Sequence, residues 1–327
     1  MTMTRAETAA WLRQQDHFAI LTHRRPDGDT LGSAAALCRM LRALGKTAHV
    51  LENPEITDRY TWLHEGLTKK EAQAGDTIVC VDVAAPNMLP DCFGQYLGSI
   101  ALRIDHHGGR ESFSDWELVD ASAGACAEIL WDIRRELGLS LDGPTADAIY
   151  VGTATDTGCF RFANTTAHTF ATAAACAEGH ARIYELNQAL FETNTLQRLK
   201  IQSWIVEHIR IFGNGELALV AIPKAVEREI GVTEDDMDNI TSFPRTVAGV
   251  HMASTLRQTP DGATKLSVRA IPGLDATTVA AAFGGGGHKG AAGATLTLPL
   301  EEAAKAVETE MRRYYGKGGE SWIADNG

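Results

Sequence analysis

The first half of the chain alternates short apolar runs with amphipathic segments. The apolar runs predict buried strands at residues 17–23, 47–53, 75–83 and 99–105. Helical patterns follow at residues 30–44 and 125–137, and another helix begins at Pro144. Strands that alternate with helices predict an α/β fold with a parallel, doubly wound sheet. Right-handed crossovers then place all the carboxyl ends of these strands at one edge.

The second half of the chain follows a different pattern. It predicts strands at residues 216–222, 247–257, 265–271 and 291–298, with helices at residues 276–283 and 301–315. A chain of 327 residues is too long for one typical core, so two domains are expected. We place the first domain at residues 1–190 and a smaller α/β domain at residues 213–327. The helical linker between them spans residues 191–212 and contains the predicted helix Leu196–His208.

Composition is that of an ordinary globular protein, with 44% hydrophobic and 22% charged residues. No apolar run reaches the roughly 20 residues of a membrane span. The first fifteen residues predict an amphipathic helix rather than a signal peptide. Six cysteines are scattered without a C-x-x-C pair, which favours reduced thiols over disulfides or a zinc knuckle. We therefore expect a cytoplasmic protein.

The formal net charge of −12 limits the partners of this chain. Proteins that track a long nucleic acid usually carry a basic stripe, because their affinity comes from neutralising many phosphates. No such run of lysine and arginine is present. Small phosphate-bearing substrates remain compatible, provided that metal ions and a few arginines supply local positive charge.

The most informative stretch is residues 99–109, which read SIALRIDHHGG. A β-rich apolar run stops at Asp105, His106 and His107, and two glycines follow. A rigid buried strand that ends in metal-binding or proton-transferring groups is typical of a site beyond the carboxyl edge of an α/β sheet. The alternative is a solvated strand end whose histidines have no ligand.

Other candidate ligands follow the same topology. His23, Asp27 and Asp29 lie in the loop HRRPDGD between a strand and a helix, where Asp29 could instead cap the helix. Asp82 ends a strand, and Asp156 is predicted in a loop of small residues after a helix. Carboxylates gathered at one edge would repel one another, and divalent cations would relieve that repulsion. Oxygen and imidazole ligands without cysteine favour manganese or magnesium over structural zinc.

These motifs resemble those of the DHH phosphoesterases. HRRPDGD, the strand-end Asp82, IDHHGG and TATDTG match that family's motifs in order, and GGGGHKGAAGA at residues 284–294 resembles its DHHA1 domain. The resemblance implies a DHH domain with a parallel sheet and a smaller α/β DHHA1 domain, with the active site in the cleft between them. Size and layout are most similar to the branch that combines oligoribonuclease with phosphoadenosine phosphate phosphatase.

The resemblance also implies individual roles. One metal ion would be held by His23, Asp27 and Asp82, and a second by Asp29, Asp82, His106 and Asp156, with Asp82 bridging. His107 would face the substrate phosphate or the leaving group, and Asp105 would orient the site. The substrate-binding residues would be Arg269, Gly285, Gly286, Gly287 and His288. The two metal ions would be Mn²⁺, with Mg²⁺ or Co²⁺ as alternatives.

We therefore expect a metal-dependent phosphoesterase that hydrolyses very short RNAs, with phosphoadenosine phosphate as a second substrate. One alternative is a phosphodiesterase for cyclic di-AMP or pApA that uses the same fold and residues. Another is a catalytically inactive nucleotide sensor, against which the complete set of metal ligands argues. The sequence is compatible with a homodimer. A membrane partner or a long nucleic acid is not expected.

Overall fold

The structure is a computed structural model. It describes residues 1–108, 112–237 and 239–326, with side chains described through residue 316. Gly109 of the predicted IDHHGG motif lies outside the described residues. Contacts within the chain divide it into two compact units, Met1–Thr193 and Asn194–Gly327. Among the helices of the described part, none is long and apolar enough to cross a membrane.

The first unit contains a six-stranded sheet in the order β3-β2-β1-β4-β5-β6. Its strands are β1 (Phe18–Leu21), β2 (Ala48–Leu51), β3 (Thr68–Lys69), β4 (Thr77–Val81), β5 (Ile100–Asp105) and β6 (Trp116–Val119). All neighbouring strands are parallel, which confirms the predicted doubly wound sheet. The strand order reverses between β1 and β4, and such folds bind ligands at this point.

The helices of the first unit cover both faces of this sheet. They are α1 (Arg5–Gln14), α2 (Gly28–Ala43), α3 (Cys126–Glu136), α4 (Gly143–Asp156), α5 (Ala167–Glu178) and α6 (Ile183–Asn187), with 3-10 helices at Thr61–His64, Pro86–Met88 and Asp91–Ser99 and a π-helical turn at Gln188–Glu192. Phe18 and Ile20 belong to the core shared with the α-helices. Ala19 and Leu21 point to the opposite face, where Phe93 of a 3-10 helix packs. Period-two alternation along β1 thus places buried side chains on both faces.

Glycines allow α2 and α4 to pack in close contact. A Cβ atom at Gly32 would lie 2.4 Å from the carbonyl oxygen of Ala148. A Cβ atom at Gly28 would lie 2.4 Å from the hydroxyl of Thr155. The start of α2 therefore lies against the end of α4, and the side chains at these two helix ends meet near the sheet edge.

The second unit contains a mixed sheet in the order β11-β12-β10-β9-β8-β7. Its strands are β7 (Arg210–Phe212), β8 (Leu217–Ile222), β9 (Met252–Gln258), β10 (Thr264–Ala270), β11 (Gly286–His288) and β12 (Ala291–Leu296). Its helices are α7 (Leu196–His208), α8 (Lys224–Ile230), α9 (Ala276–Ala281) and α10 (Leu300–Asn326), with a 3-10 helix at Ile240–Thr246. Only β8 and β9 pair in parallel within this sheet of the described chain. The expected smaller α/β domain is confirmed.

Helix α7 begins and ends at the residues that the sequence predicts, but it is not a linker that stands apart from the two domains. Ile201 and Ile205 on α7 are fully buried in a cluster with Val220 and Ile222 of β8. Apolar side chains spaced four residues apart form one face of a helix, so they favour packing on a sheet. The helix that we predicted to link two domains belongs to the core of the second unit.

Candidate metal centre

The candidate ligands meet at the carboxyl edge of the first unit's sheet. His23 follows β1, Asp82 follows β4, and Asp105, His106 and His107 end or follow β5. Asp27 and Asp29 lie at the start of α2, and Asp156 is the last residue of α4. Three overlapping groups have ligand atoms within 4.8 Å of one another: His23, Asp27 and Asp82; Asp29, His106 and Asp156; and Asp82, His106 and His107. The geometry thus brings the predicted metal-binding residues together.

Asp82 lies between two of these groups. Its Oδ2 is 3.5 Å from Nε2 of His23, and its Oδ1 is 3.5 Å from Nε2 of His106. The residue is 2% exposed and has φ of +56°. A left-handed backbone is strained for a residue other than glycine, and such strain is often found at functional sites. The Asp82 carboxylate therefore presents one oxygen atom to His23 and the other to His106.

The group around His23 is built on the start of α2. Nε2 of His23 is 3.6 Å from Oδ1 of Asp27. Asp27, not Asp29, caps α2, because its Oδ1 accepts hydrogen bonds from the backbone amides of Asp29 and Thr30. Nδ1 of His23 is 2.8 Å from the carbonyl oxygen of Arg24. In the neutral ring, donation from Nδ1 to this carbonyl leaves Nε2 as the ligand atom.

Backbone amides at the start of α3 anchor Asp29 in the second group. Its Oδ2 accepts from the amide of Cys126 at 2.6 Å, and its Oδ1 accepts from the amide of Ala127 at 3.0 Å. The hydroxyl of Ser33 also donates to Oδ1, at 3.1 Å. Oδ2 lies 3.8 Å from Nε2 of His106. Hydrogen bonds from a helix N-terminus favour the carboxylate, but burial outweighs them and raises the pKa of Asp29.

Asp156 is part of a helix, which corrects the predicted loop position. Its Oδ2 lies 3.6 Å from Nε2 of His106. The hydroxyls of Thr155 and Thr157 donate back to the carbonyls of Val151 and Thr153, respectively, along α4. These bonds satisfy the threonine hydroxyls at the end of the helix.

The distances between carboxylate oxygens and imidazole nitrogens in these groups are closer to those between ligands of one cation than to those of direct hydrogen bonds. Separations of 3.5–3.8 Å exceed hydrogen-bond lengths. Ligand atoms about 2.1 Å from a cation lie roughly 3.0–3.4 Å apart in octahedral or tetrahedral geometry, only slightly closer than this. Among the described residues, the buried Oδ1 of Asp82 and Nε2 of His106 have no hydrogen-bond partner. Both atoms can therefore serve as ligands.

The electrostatics of the cluster also favour a cation. Burial and the neighbouring Asp29 carboxylate raise the pKa of Asp82 well above its usual range. Burial and the charges of Asp29 and Asp27 do the same to the pKa of Asp156. Burial lowers the pKa of His23, but its contacts with Asp27 and Asp82 outweigh burial and raise that pKa well above its usual value. A divalent cation would displace these protons and neutralise the carboxylates.

The adjacent histidines have different surroundings. Nε2 of His106 belongs to both groups around Asp82 and Asp29, while its Nδ1 lies 3.3 Å from the carbonyl of Ala123. Nδ1 of His107 lies 2.9 Å from Oδ1 of Asp105, which is fully buried, and 3.4 Å from Oδ1 of Asp82. Burial raises the pKa of Asp105, but the hydrogen bond and charge of His107 outweigh it and lower that pKa. With Nδ1 donating to Asp105, a neutral His107 ring has Nε2 as its acceptor nitrogen.

In the second unit, Arg269 and His288 share one face of the sheet. Both pair with Ala291 of β12, Arg269 from β10 and His288 from β11, so their side chains point the same way. The half-buried guanidinium of Arg269 donates to Oγ of Ser242 at 3.3 Å. Burial lowers the pKa of Arg269.

The predicted glycine loop is partly a strand. Gly286 and Gly287 pair with β12, and a Cβ atom at Gly285 would lie 2.1 Å from the carbonyl oxygen of Gly293. At Gly287 a Cβ atom would lie 2.5 Å from the carbonyl oxygen of Ala291. Close strand packing therefore accounts for Gly285 and Gly287, whereas Gly286 adjoins open space.

Several supporting residues were missed by sequence reasoning. Nδ2 of Asn53 donates to the hydroxyl of Thr22 and the carbonyl of His23, at 2.9 and 2.8 Å, and so fixes the end of β1. Nδ2 of Asn164 donates to the carbonyl of Asp156 at 3.1 Å. No local pattern marks these long-range contacts. Arg103 did leave a signal, because it is a lone charge inside the apolar run of β5.

The first unit thus has a parallel sheet with an acidic and histidine-rich site at its switch point, and a second α/β unit follows it. The family model described as DHH family, N-terminal domain, matches residues 17–153, and that of the DHHA1 domain matches residues 219–313. The chain belongs to the DHH/DHHA1 phosphoesterase family.

Curated relatives cover most of the chain. A bifunctional oligoribonuclease and PAP phosphatase NrnA from Thermus thermophilus is 33% identical over 304 residues, covering 92% of this chain and 90% of that protein. The Bacillus subtilis protein of the same name is 27% identical, with coverages of 86% and 90%. The cyclic-di-AMP phosphodiesterase GdpP from Geobacillus thermodenitrificans is 22% identical and covers 94% of this chain but 49% of that protein.

Solved structures share the fold. An exopolyphosphatase-related protein from Bacteroides fragilis has a TM-score of 0.87 at 20% identity, covering 95% of this chain and 96% of that one. RecJ from Thermus thermophilus in complex with Mn²⁺ has a TM-score of 0.57 at 16% identity. It covers 96% of this chain and 55% of RecJ.

Proposed function

We propose that this chain is a metal-dependent phosphoesterase that hydrolyses very short oligoribonucleotides, with 3'-phosphoadenosine 5'-phosphate as a second substrate. The observation that carries the proposal is Asp82, whose two oxygens face His23 on one side and His106 on the other. The names of the Thermus and Bacillus relatives support the substrate class. A net charge of −12 favours short over long RNA.

We assign two divalent cations to the site, with Mn²⁺ first and Mg²⁺ or Co²⁺ as alternatives. His23, Asp27 and Asp82 would hold one ion; Asp29, Asp82, His106 and Asp156 would hold the other. When bound, such ions polarise a phosphoryl group and lower the pKa of water. Oxygen and imidazole donors support this choice, as does the Mn²⁺ bound by the RecJ neighbour of the same fold.

His107 is the residue that we assign to proton transfer. A water oxygen forms a bond to phosphorus, and the bond between phosphorus and the leaving nucleoside oxygen breaks. The leaving oxygen takes the proton from Nε2 of His107, and the proton released by the attacking water returns to that nitrogen. One water molecule is consumed and an alcohol is released. The contact of 2.9 Å between Nδ1 of His107 and Asp105 supports this role, because it orients the ring.

The second unit is assigned to substrate binding. Arg269 carries a planar guanidinium that can pair with phosphate through two hydrogen bonds. His288 lies on the same sheet face, and Gly286 leaves open space there for a ribose or base. Gly285 and Gly287 act by allowing β11 to pack closely on β12. This division assigns chemistry to residues 1–190 and substrate binding to residues 213–327.

A second candidate is hydrolysis of cyclic di-AMP or its linear product pApA. It is favoured by the similarity to GdpP, which extends over 94% of this chain. The location that we propose is the cytoplasm. The six cysteines, all among the described residues, form no disulfide, which fits a reducing compartment.

A substrate panel tests the proposed function. The purified protein with Mn²⁺ is given RNA from dinucleotide to long oligomer, phosphoadenosine phosphate, pApA and cyclic di-AMP. We expect the highest kcat/KM on the shortest RNA, a fall with increasing length, and complete loss with a chelator. A preference for cyclic di-AMP would support the second candidate, and binding without turnover of any substrate would indicate a sensor.

A further inference from the structure

A fully buried arginine lies behind the candidate centre. Arg103 on β5 is 1% exposed, and its guanidinium lies 4.9 Å from the ring centre of Phe113. Its strand neighbour across the sheet is Cys80, which is also buried. Burying a guanidinium is costly unless charged partners compensate for lost hydration. The position of Arg103 therefore requires an explanation.

Two carboxylates are partners of Arg103. Nη2 lies 3.6 Å from Oδ2 of Asp105, and Nη1 lies 3.6 Å from Oε1 of Glu117. Glu117 is the cross-strand neighbour of Arg103 on β6, while Asp105 follows two residues later on the same face of β5. The other oxygen of Asp105 accepts from Nδ1 of His107 at 2.9 Å. Charged side chains thus run in one row from β6 to His107.

We propose that Arg103 is a positioning residue for His107 and acts through Asp105. Its guanidinium attracts Oδ2 of Asp105 as an ion pair at 3.6 Å, so that Oδ1 stays aligned with Nδ1 of His107. The ring then keeps Nε2 directed at the leaving oxygen. This inference rests on the proposed function, in which His107 protonates that oxygen.

A purely structural role for Arg103 predicts a different result. If Arg103 only balances buried charge, its loss lowers stability and affects all substrates equally. If it positions a proton donor, its loss matters only where the leaving group needs a proton. A ribonucleoside leaving group needs one, whereas p-nitrophenolate leaves without help. The ratio of the two rates separates the roles.

The experiment compares Arg103→Met and Arg103→Lys on a dinucleotide and on bis-p-nitrophenyl phosphate. For Arg103→Met we expect kcat on the dinucleotide to fall about 10- to 100-fold, as for other residues that orient a catalytic group. KM, bound metal and the rate on bis-p-nitrophenyl phosphate should stay within about threefold. Arg103→Lys should recover part of the loss, since Lys keeps the charge without the planar fork.

Arg5→Met is the matched control. Arg5 also pairs with two carboxylates of the first unit, Asp120 at 2.6 Å and Asp132 at 2.7 Å. Its removal should lower Tm and leave the ratio of the two rates unchanged.

A double-mutant cycle tests whether Arg103 acts through Asp105. Arg103→Met combined with Asp105→Asn should lose no more activity on the dinucleotide than Asp105→Asn alone. Additive losses, equal losses on both substrates, or loss of metal would overturn the proposal. If Arg103→Met does not fold, the rate ratio of Arg103→Lys decides. Wild-type protein inactive on both substrates would instead refute the proposed function, and this inference with it.

Discussion

Asp82 in the first unit and Glu227 in the second are both buried carboxylates, exposed by 2% and 3%. Glu227 has its countercharges built in, with Nζ of Lys224 at 2.6 Å and Nε of Arg257 at 2.8 Å. Burial raises the pKa of Glu227, but these partners outweigh burial and lower it. For Asp82, burial and the neighbouring Asp29 both raise the pKa.

The difference separates a structural charge from a functional one. The second unit compensates its buried carboxylate with its own cations, so that site is complete. The first unit gathers several carboxylates around Asp82, although their mutual repulsion costs stability. Such a cluster is retained where an external cation supplies the missing charge.

The largest effect is expected for Asp82→Asn. The amide cannot bridge two cations, and their electrostatic stabilisation is worth several kcal/mol, so turnover of a dinucleotide should fall by about 10³-fold or more. Steady-state kinetics and metal analysis measure this. Asp91→Asn is the control, since the Asp91 side chain is fully exposed and pairs with Arg24. A variant at position 82 with full metal content and a tenth of wild-type turnover would contradict the bridging role.

The adjacent histidines should separate metal binding from proton transfer. His106→Ala removes a ligand atom shared by two groups, so we expect it to lose bound metal. His107→Ala should keep both ions and lose about 10²- to 10⁴-fold in kcat, which is the typical contribution of a general acid. Metal content per chain, measured on both variants, decides the matter. Equal metal loss in the two variants would contradict the assignment of metal binding to His106 and of proton transfer to His107.

The second unit should contribute through substrate binding. Arg269→Ala and His288→Ala should reduce kcat/KM on a dinucleotide by about 10- to 100-fold, as expected for a lost charged hydrogen bond. On bis-p-nitrophenyl phosphate, which offers no nucleotide, the loss should stay within about threefold. Arg228→Ala removes an exposed arginine of the same unit and serves as the control. Equal losses on both substrates would place these residues in the chemical step.

The smallest effects concern stability without metal. Glu227→Gln should destabilise the metal-free protein by about 1–3 kcal/mol, because Arg257 and Lys224 lose the buried carboxylate that they share. Asp82→Asn should instead stabilise it by about 0.5–2 kcal/mol, because it removes repulsion at a functional site. Denaturant unfolding of both variants tests the comparison. If both Glu227→Gln and Asp82→Asn lower the free energy of unfolding, the contrast between the two buried carboxylates is wrong.

The pH dependence of Glu227 follows from its lowered pKa. A carboxylate whose folded-state pKa lies below its unfolded value of 4.5 contributes stability above that pH. The contribution is lost as pH falls through the folded-state pKa. The difference between wild type and Glu227→Gln should therefore be constant from pH 7 to 5 and shrink below about pH 4.5.

Local pattern predicted much of this architecture, because buried strands and their polar ends are visible in sequence. His23, Asp82 and His106 could be placed at one edge once parallel strands were expected. The helical position of Asp156 could not be predicted, since the threonine-rich end of α4 has low helix propensity and its packing against α2 is a long-range contact. The contact between Arg103 and Glu117 depends on the register of β5 and β6, which local sequence does not encode.

The most direct test of the account is a calorimetric titration of metal-stripped protein with Mn²⁺, with dinucleotide hydrolysis measured on the same samples. We predict two ions per chain, turnover that appears only as they bind, and a rise in Tm, because the ions bind the folded state alone. Asp82→Asn should bind fewer or weaker ions. Full turnover in the presence of a chelator, or unchanged binding in Asp82→Asn, would contradict the proposed centre.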